Sequence, residues 1–183
     1  MTLDVNTHGC WMHRLGHLGM GFLFAAVPTS VLLVMGFPFA GLPFAAATIG
    51  TSRLPDQAEA IPGIGHRTVT HTVVFALVVA LISTLGVMGL YVVGSDVLPV
   101  SQLAYVSIPA GAMLGVVSHL VADALTVGRG KFAIKPFWPV SGRRLRVGVV
   151  KSGDTFANVG LLVTGGLMFA ACLYLGIQTP NLG

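Results

Sequence analysis

Residues 103–127 read LAYVSIPAGAMLGVVSHLVADALTV. The run is apolar or small until Ser118, His119 and Asp123 near its end. As a helix rising 1.5 Å per residue it would reach ~37 Å, enough to cross the ~30 Å hydrocarbon core of a bilayer. An ionisable side chain inside such a span is costly unless it faces a cavity or a partner. His119 and Asp123 are four apart, so a helix puts them on one face. The stretch therefore predicts a membrane helix with part of a polar site on its last turns. The pair alone would also suit a simple hydrogen bond between packed helices. Its meaning depends on what the rest of the chain brings to the same place.

The remainder has the same apolar character. Only 9% of the 183 residues are charged and 54% are hydrophobic, and mean hydropathy is +0.85. An average soluble protein carries roughly 25% charged residues. A soluble globule is excluded, and the expectation is an all-α integral membrane bundle forming one domain over residues 1–183. The net charge of +4 would point to nucleic acid in a soluble domain. Here membrane topology explains it, and no nucleic-acid partner is expected. Cys10 and Cys172 do not form a disulfide framework.

Four more apolar stretches flank the first: residues 18–35, 37–52, 72–94 and 155–177. A cleaved signal peptide with Arg14 as its charged region is the rival reading of the first, but the apolar run is long and no clear small-x-small cleavage site follows it. Residues 37–52 carry Pro38 and Pro43 and barely reach across a bilayer. They predict a short helix packed inside the bundle or a re-entrant segment. With about five transmembrane helices, all ten Lys and Arg residues fall on one side. They are Arg14, then Arg53 and Arg67, then the seven between Arg129 and Lys151. Basic loops stay in the cytoplasm. The N-terminus is therefore expected inside, with the protein in the cytoplasmic (inner) membrane.

The same side receives LPDQAEAIPGIGHRTVTHT, residues 54–72. This loop holds Asp56, Glu59, His66, Arg67 and His71. His17 begins the first span on that side. His17, Asp56, His66, His71, His119 and Asp123 can thus converge at the cytoplasmic rim, with His17, Asp56, His71, His119 and Asp123 as the expected metal ligands. Mixed His and Asp ligation suits zinc, with manganese or iron as alternatives. A metal-activated water would attack a phosphoester or related ester, of a small molecule or of a membrane lipid. His66 is expected to act in acid–base chemistry or to hydrogen-bond a ligand, and Arg67 to orient the anion. Of the two loop histidines, His71 is the expected ligand because it abuts a rigid span. Glu59 is expected in solvent, and Asn158 is expected as a packing residue. Phe137 and Trp138, with Arg143, Arg144 and Arg146, predict an interfacial lipid anchor. The rival is a non-catalytic membrane protein with a structural or regulatory metal.

Taken in order, these motifs resemble the YdjM-like family of membrane-bound metal-dependent hydrolases of bacteria and archaea. The resemblance rests on His17, on Leu54-Pro55-Asp56, on His66-Arg67-Thr68 with Thr70-His71-Thr72, on Gly115 through His119 with Asp123 and Thr126, and on Phe137-Trp138-Pro139. It implies a helical membrane fold and a hydrolytic metal site. A further likeness in ligand order to zinc-dependent phospholipase C enzymes implies one zinc on Asp56, His71, His119 and Asp123. Asp123 would then bridge to a second ion on His17. The chain departs from the family at Ala58, where a second Asp is usual, and at Thr68, where Gly is usual. No His follows residue 119, which argues against a third ion.

Overall fold

The computed structural model describes residues 9–65, 68–94, 102–126, 133–145, 147–151 and 153–179, with side chains from Arg14 onward. Among these the chain is helical, with no strand beyond two isolated bridges, Thr126 to Val150 and Ile134 to Leu145. The helices are α1 (Gly9–Val34), α2 (Pro38–Thr51), α3 (Leu54–Ala58), α4 (Val73–Gly94), α5 (Ala104–Leu125) and α6 (Thr155–Gln178). A helix satisfies its own backbone polar groups, which an apolar medium demands. Long runs of Leu, Val, Ala and Gly therefore take this form.

Four helices are long and apolar enough to cross a membrane: Arg14–Val34 within α1, and α4, α5 and α6. Their bounds match the expected spans within a few residues, except that α1 begins at Gly9, so His17 lies two turns inside it. The stretch at 37–52 is a helix of 14 residues, or ~21 Å. It packs one face on α1 and α5 and leaves Phe39 and Leu42 exposed; by length it falls short of a crossing, so the described residues give four candidate spans rather than the expected five.

α2 nevertheless returns the chain to the end where α1 began. Gly41 packs against Thr29 and Leu33 of α1, while Gly21 of α1 packs against Ile49 and Ser52. α5 runs parallel to α2. A methyl group added at Gly111 would press on the Phe44 carbonyl, and one at Gly115 would collide with the Thr48 carbonyl and the Thr51 hydroxyl. The Thr51 hydroxyl donates across the interface to the Ala112 carbonyl at 2.8 Å. Small residues at such crossings let backbones approach. α6 runs alongside α1, with Asn158 against Gly16 at one end and Gly176 against Leu33 at the other. The starts of α1, α4 and α6 and the ends of α2 and α5 thus gather at one end of the bundle.

The segment between α5 and α6 folds back over that end. The Pro136 carbonyl accepts from the Val73 backbone at 2.8 Å, and Val147 donates to Ala124 at 2.7 Å. Ile134 is buried against Leu120 and Ala124. Phe137, Trp138, Arg143 and Arg144 remain exposed, as an interfacial anchor requires; Arg146 lies outside the described residues.

Candidate metal centre

The loop between α2 and α4 is built to hold its ligands still. Pro55 opens α3 at a position where its missing N–H costs nothing. One turn of helix then places Asp56 and Glu59 three residues apart, on adjacent turns of one side. At the other end of the loop, Val69–His71 form a single 3-10 turn. The Thr72 hydroxyl donates to the Val69 carbonyl at 2.7 Å and accepts from the Phe75 backbone at 3.1 Å. Thr72 thereby caps α4 and fixes His71 against it.

Five side chains from separate parts of the chain meet here. His17, His71, His119 and Asp123 are buried, and the Asp56 side chain is 36% exposed. Four of their atoms form a compact set. His119 Nε2 lies 3.1 Å from His71 Nε2, 3.4 Å from Asp56 Oδ1 and 3.6 Å from Asp123 Oδ2. His71 Nε2 lies 3.6 Å from Asp56 Oδ1 and 3.1 Å from Asp123 Oδ2. Donors around a tetrahedral zinc, with bonds of ~2.0–2.2 Å, stand roughly 3.3–3.5 Å apart. The spacing is that of one ligand shell. His17 faces the other oxygen of each carboxylate: its Nε2 is 3.8 Å from Asp56 Oδ2 and 3.7 Å from Asp123 Oδ1. Its ring stacks on that of His119 at 3.9 Å between centroids. Two overlapping groups, His17 with His119 and Asp123, and Asp56 with His71 and His119, could each hold a metal ion.

The tautomers favour ligation. His119 Nδ1 lies 2.9 Å from the Ser52 carbonyl oxygen, which can only accept. The proton is therefore on Nδ1, and Nε2 offers its lone pair to the cluster. His71 Nδ1 lies 3.3 Å from Glu59 Oε1 and 3.0 Å from the Thr70 hydroxyl. A carboxylate on the far nitrogen of an imidazole fixes its orientation and raises its basicity as a ligand. This corrects the expectation for Glu59. It is not a solvated loop residue; its side chain is 14% exposed and aimed at His71. Its place three residues after Asp56 was the available signal.

Without a metal the carboxylates hold a proton in the cluster. Burial alone would lower the His71 pKa, but hydrogen bonds to Asp123 and Asp56 and the charges of Asp123 and Glu59 push it up to about 9. Burial alone would raise the Asp56 pKa, but the imidazoles of His119 and His71 beside it, with that of His17 nearby, hold it well below the usual carboxylate range. The surroundings thus favour a positive charge at the centre.

His66 and Arg67 lie outside the described residues. Asn158 packs on Gly16 as expected, with its amide donating to the Asp154 carbonyl at 2.7 Å.

Comparison with known proteins gives two matches. The family described as YdjM inner membrane protein matches residues 12–180. The "Uncharacterized protein YvsG" of Bacillus subtilis (strain 168) is 33% identical over 110 residues, 60% of this chain and 54% of that protein. The match thus spans about half the length of this curated relative. No solved structure matches the chain.

Proposed function

This chain belongs to the YdjM inner membrane protein family, and we propose that it is a metal-dependent hydrolase acting on phosphoester or related ester bonds, including those of lipids. The observation that carries this reading is the set of four donor atoms with zinc-like spacing, two of them imidazole nitrogens with their far sides already hydrogen-bonded. A divalent cation held there supplies Lewis acidity and a water nucleophile near neutral pH. Zinc suits the donor set best, with manganese or iron(II) as alternatives.

Asp56, His71, His119 and Asp123 would hold the first ion. His17, with the second oxygens of both carboxylates, is the place for another. Glu59 and the Ser52 carbonyl keep His71 and His119 in the ligating tautomer. The exposure of Asp56 leaves the cluster open on one side. A purely structural metal is the competing reading, but structural sites are typically closed. His66 and Arg67, a few residues before His71, are proposed to exchange a proton with the leaving group and to hold the anion. The described basic residues, Arg14, Arg53, Lys135, Arg143, Arg144 and Lys151, fall in segments at the site end, which supports a cytoplasmic position for the site.

The test is hydrolysis by purified, metal-loaded protein across phosphodiesters and phospholipids. Turnover that disappears with a chelator, returns with zinc and is absent in Asp123→Ala is the expected result. Bound metal without turnover on any such substrate would favour the structural reading.

A further inference from the structure

A second feature adjoins the cluster. A cavity of about 270 Å³ lies between the start of α1, the end of α5 and the start of α6. Its wall includes His17, Ala122, Leu125, Ala157, Leu161 and, at the exposed edge, Lys151. We infer that this cavity receives one hydrocarbon chain of a membrane phospholipid whose phosphoester group sits at the His/Asp cluster. The inference rests on the hydrolase reading for what happens to that group, but not for the binding itself.

Three observations carry it. First, His17 belongs to both places. It faces Asp56 and Asp123 through Nε2 and also forms part of the cavity wall. Whatever fills the cavity therefore lies against a member of the cluster. Second, the lining is almost wholly apolar. Of its few polar groups, the Thr126 hydroxyl donates to the Asp123 carbonyl at 2.8 Å and the Asn158 amide donates to the Asp154 carbonyl at 2.7 Å. A polar substrate would find little to bond there, while a methylene chain loses nothing. Third, the level fits, and Lys151 adds a positive charge at the cavity's exposed edge, as an anionic lipid would favour. The cavity sits at the ends of membrane-crossing helices, where lipid headgroups meet their chains.

The wall is part of the fold. Val149 and Val150 donate backbone hydrogen bonds to the Leu125 carbonyl at 2.8 and 3.1 Å, which fastens the segment before Lys151 to the end of α5. A chain moving from bilayer to cavity passes between two apolar media and gains little from the hydrophobic effect. Selection there is by shape, so filling the cavity excludes the chain sterically.

Purified metal-loaded protein in nanodiscs, doped with a phosphatidylglycerol carrying a mid-chain diazirine, tests this. Irradiation is expected to label the peptides bearing Ala122–Thr126 and Ala157–Leu161. Ala157→Phe is expected to cut that labelling at least fivefold while metal content stays at the wild-type level. Leu161→Trp serves as the second blocking variant should the first not fold. Label spread over the lipid-facing side of α4, with none at 157–161, overturns the inference whatever the variants do. So does undiminished labelling in a folded blocking variant. The readout needs no turnover. Labelling at the cavity in a protein that hydrolyses nothing supports the lipid site and counts against the hydrolase reading. Hydrolysis of a water-soluble diester without cavity labelling overturns the lipid site alone.

Discussion

α4 and α5 have the same length, 22 residues each, and both are apolar enough to cross a membrane. Their fates differ. α4 turns Leu77, Val78, Leu81, Ile82 and Leu85 outward and buries only Ala76, Val79 and Val87. α5 is enclosed by α1, α2 and α4 and buries Gly111, Ala112, Gly115, Val116, Ser118, His119 and Asp123 among others. Bulk decides the difference. Large branched side chains cost nothing against lipid, whereas Gly, Ala and Ser let three neighbours approach one helix. Only the enclosed helix can carry a buried His and Asp, because only there do partners surround them. α5 supplies two of the site's five side chains because α1, α2 and α4 surround it.

The largest expected effect comes from moving one methyl group between the two helices. Gly115 on α5 has no room for a Cβ, while Gly86 on α4 meets nothing within 4 Å. Gly115→Ala is expected to destabilise by about 1–3 kcal/mol and to loosen metal binding, since the same turn leads to His119. Gly86→Ala is expected to be neutral or to stabilise by about 0.5–1 kcal/mol through helix propensity. Thermal unfolding in detergent measures both. Equal effects would dissolve the contrast between the two helices.

A smaller effect tests the support of the site rather than its enclosure. Glu59→Gln keeps the size of the side chain but removes the charge facing His71 Nδ1. Metal affinity is expected to fall about 10–100-fold, read by competition with a metallochromic chelator. An unchanged affinity would return Glu59 to the solvated loop.

The smallest effect is in pH. In metal-free protein the His71 pKa rises from 6.5 to about 9. The stability this lends is complete below pH 6.5 and is lost as pH rises through 9. Asp56 is shifted down, so its contribution is present above its ordinary value and fades only in acid. A metal ion replaces the proton on His71 and is favoured as that proton leaves. The gap in unfolding temperature between metal-loaded and metal-stripped protein is therefore expected to widen from pH 6.5 to 9. A gap that narrows would place the proton elsewhere.

Much of this was legible in the sequence, for physical reasons. Long apolar runs must become helices in a bilayer, so α4, α5 and α6 could be bounded closely. The shortness of α2 followed from Pro38 and from the count of apolar residues after it. The early start of α1 did not follow, because residues 9–17 are polar enough to resemble a tail. His17, Asp56, His71, His119 and Asp123 were legible because polar groups are so scarce in this chain. Glu59 was missed although the i, i+3 spacing that links it to Asp56 is the kind of rule that paired His119 with Asp123. The cavity beside His17 had no sequence signal. It is lined by the small side chains of Ala122 on α5 and Ala157 on α6, a pairing that only the packing reveals.

Five side chains gathered from distant segments to one end of the bundle are proposed to form a metal centre. Elemental analysis of protein purified after zinc loading tests it most directly, alongside Ala variants at each of the five positions. One or two zinc ions per chain are expected, falling to background in Asp56→Ala, His71→Ala, His119→Ala and Asp123→Ala. His17→Ala is expected to keep the first ion and lose any second. No divalent metal bound under any loading condition, or full occupancy in folded His119→Ala and Asp123→Ala, would contradict it.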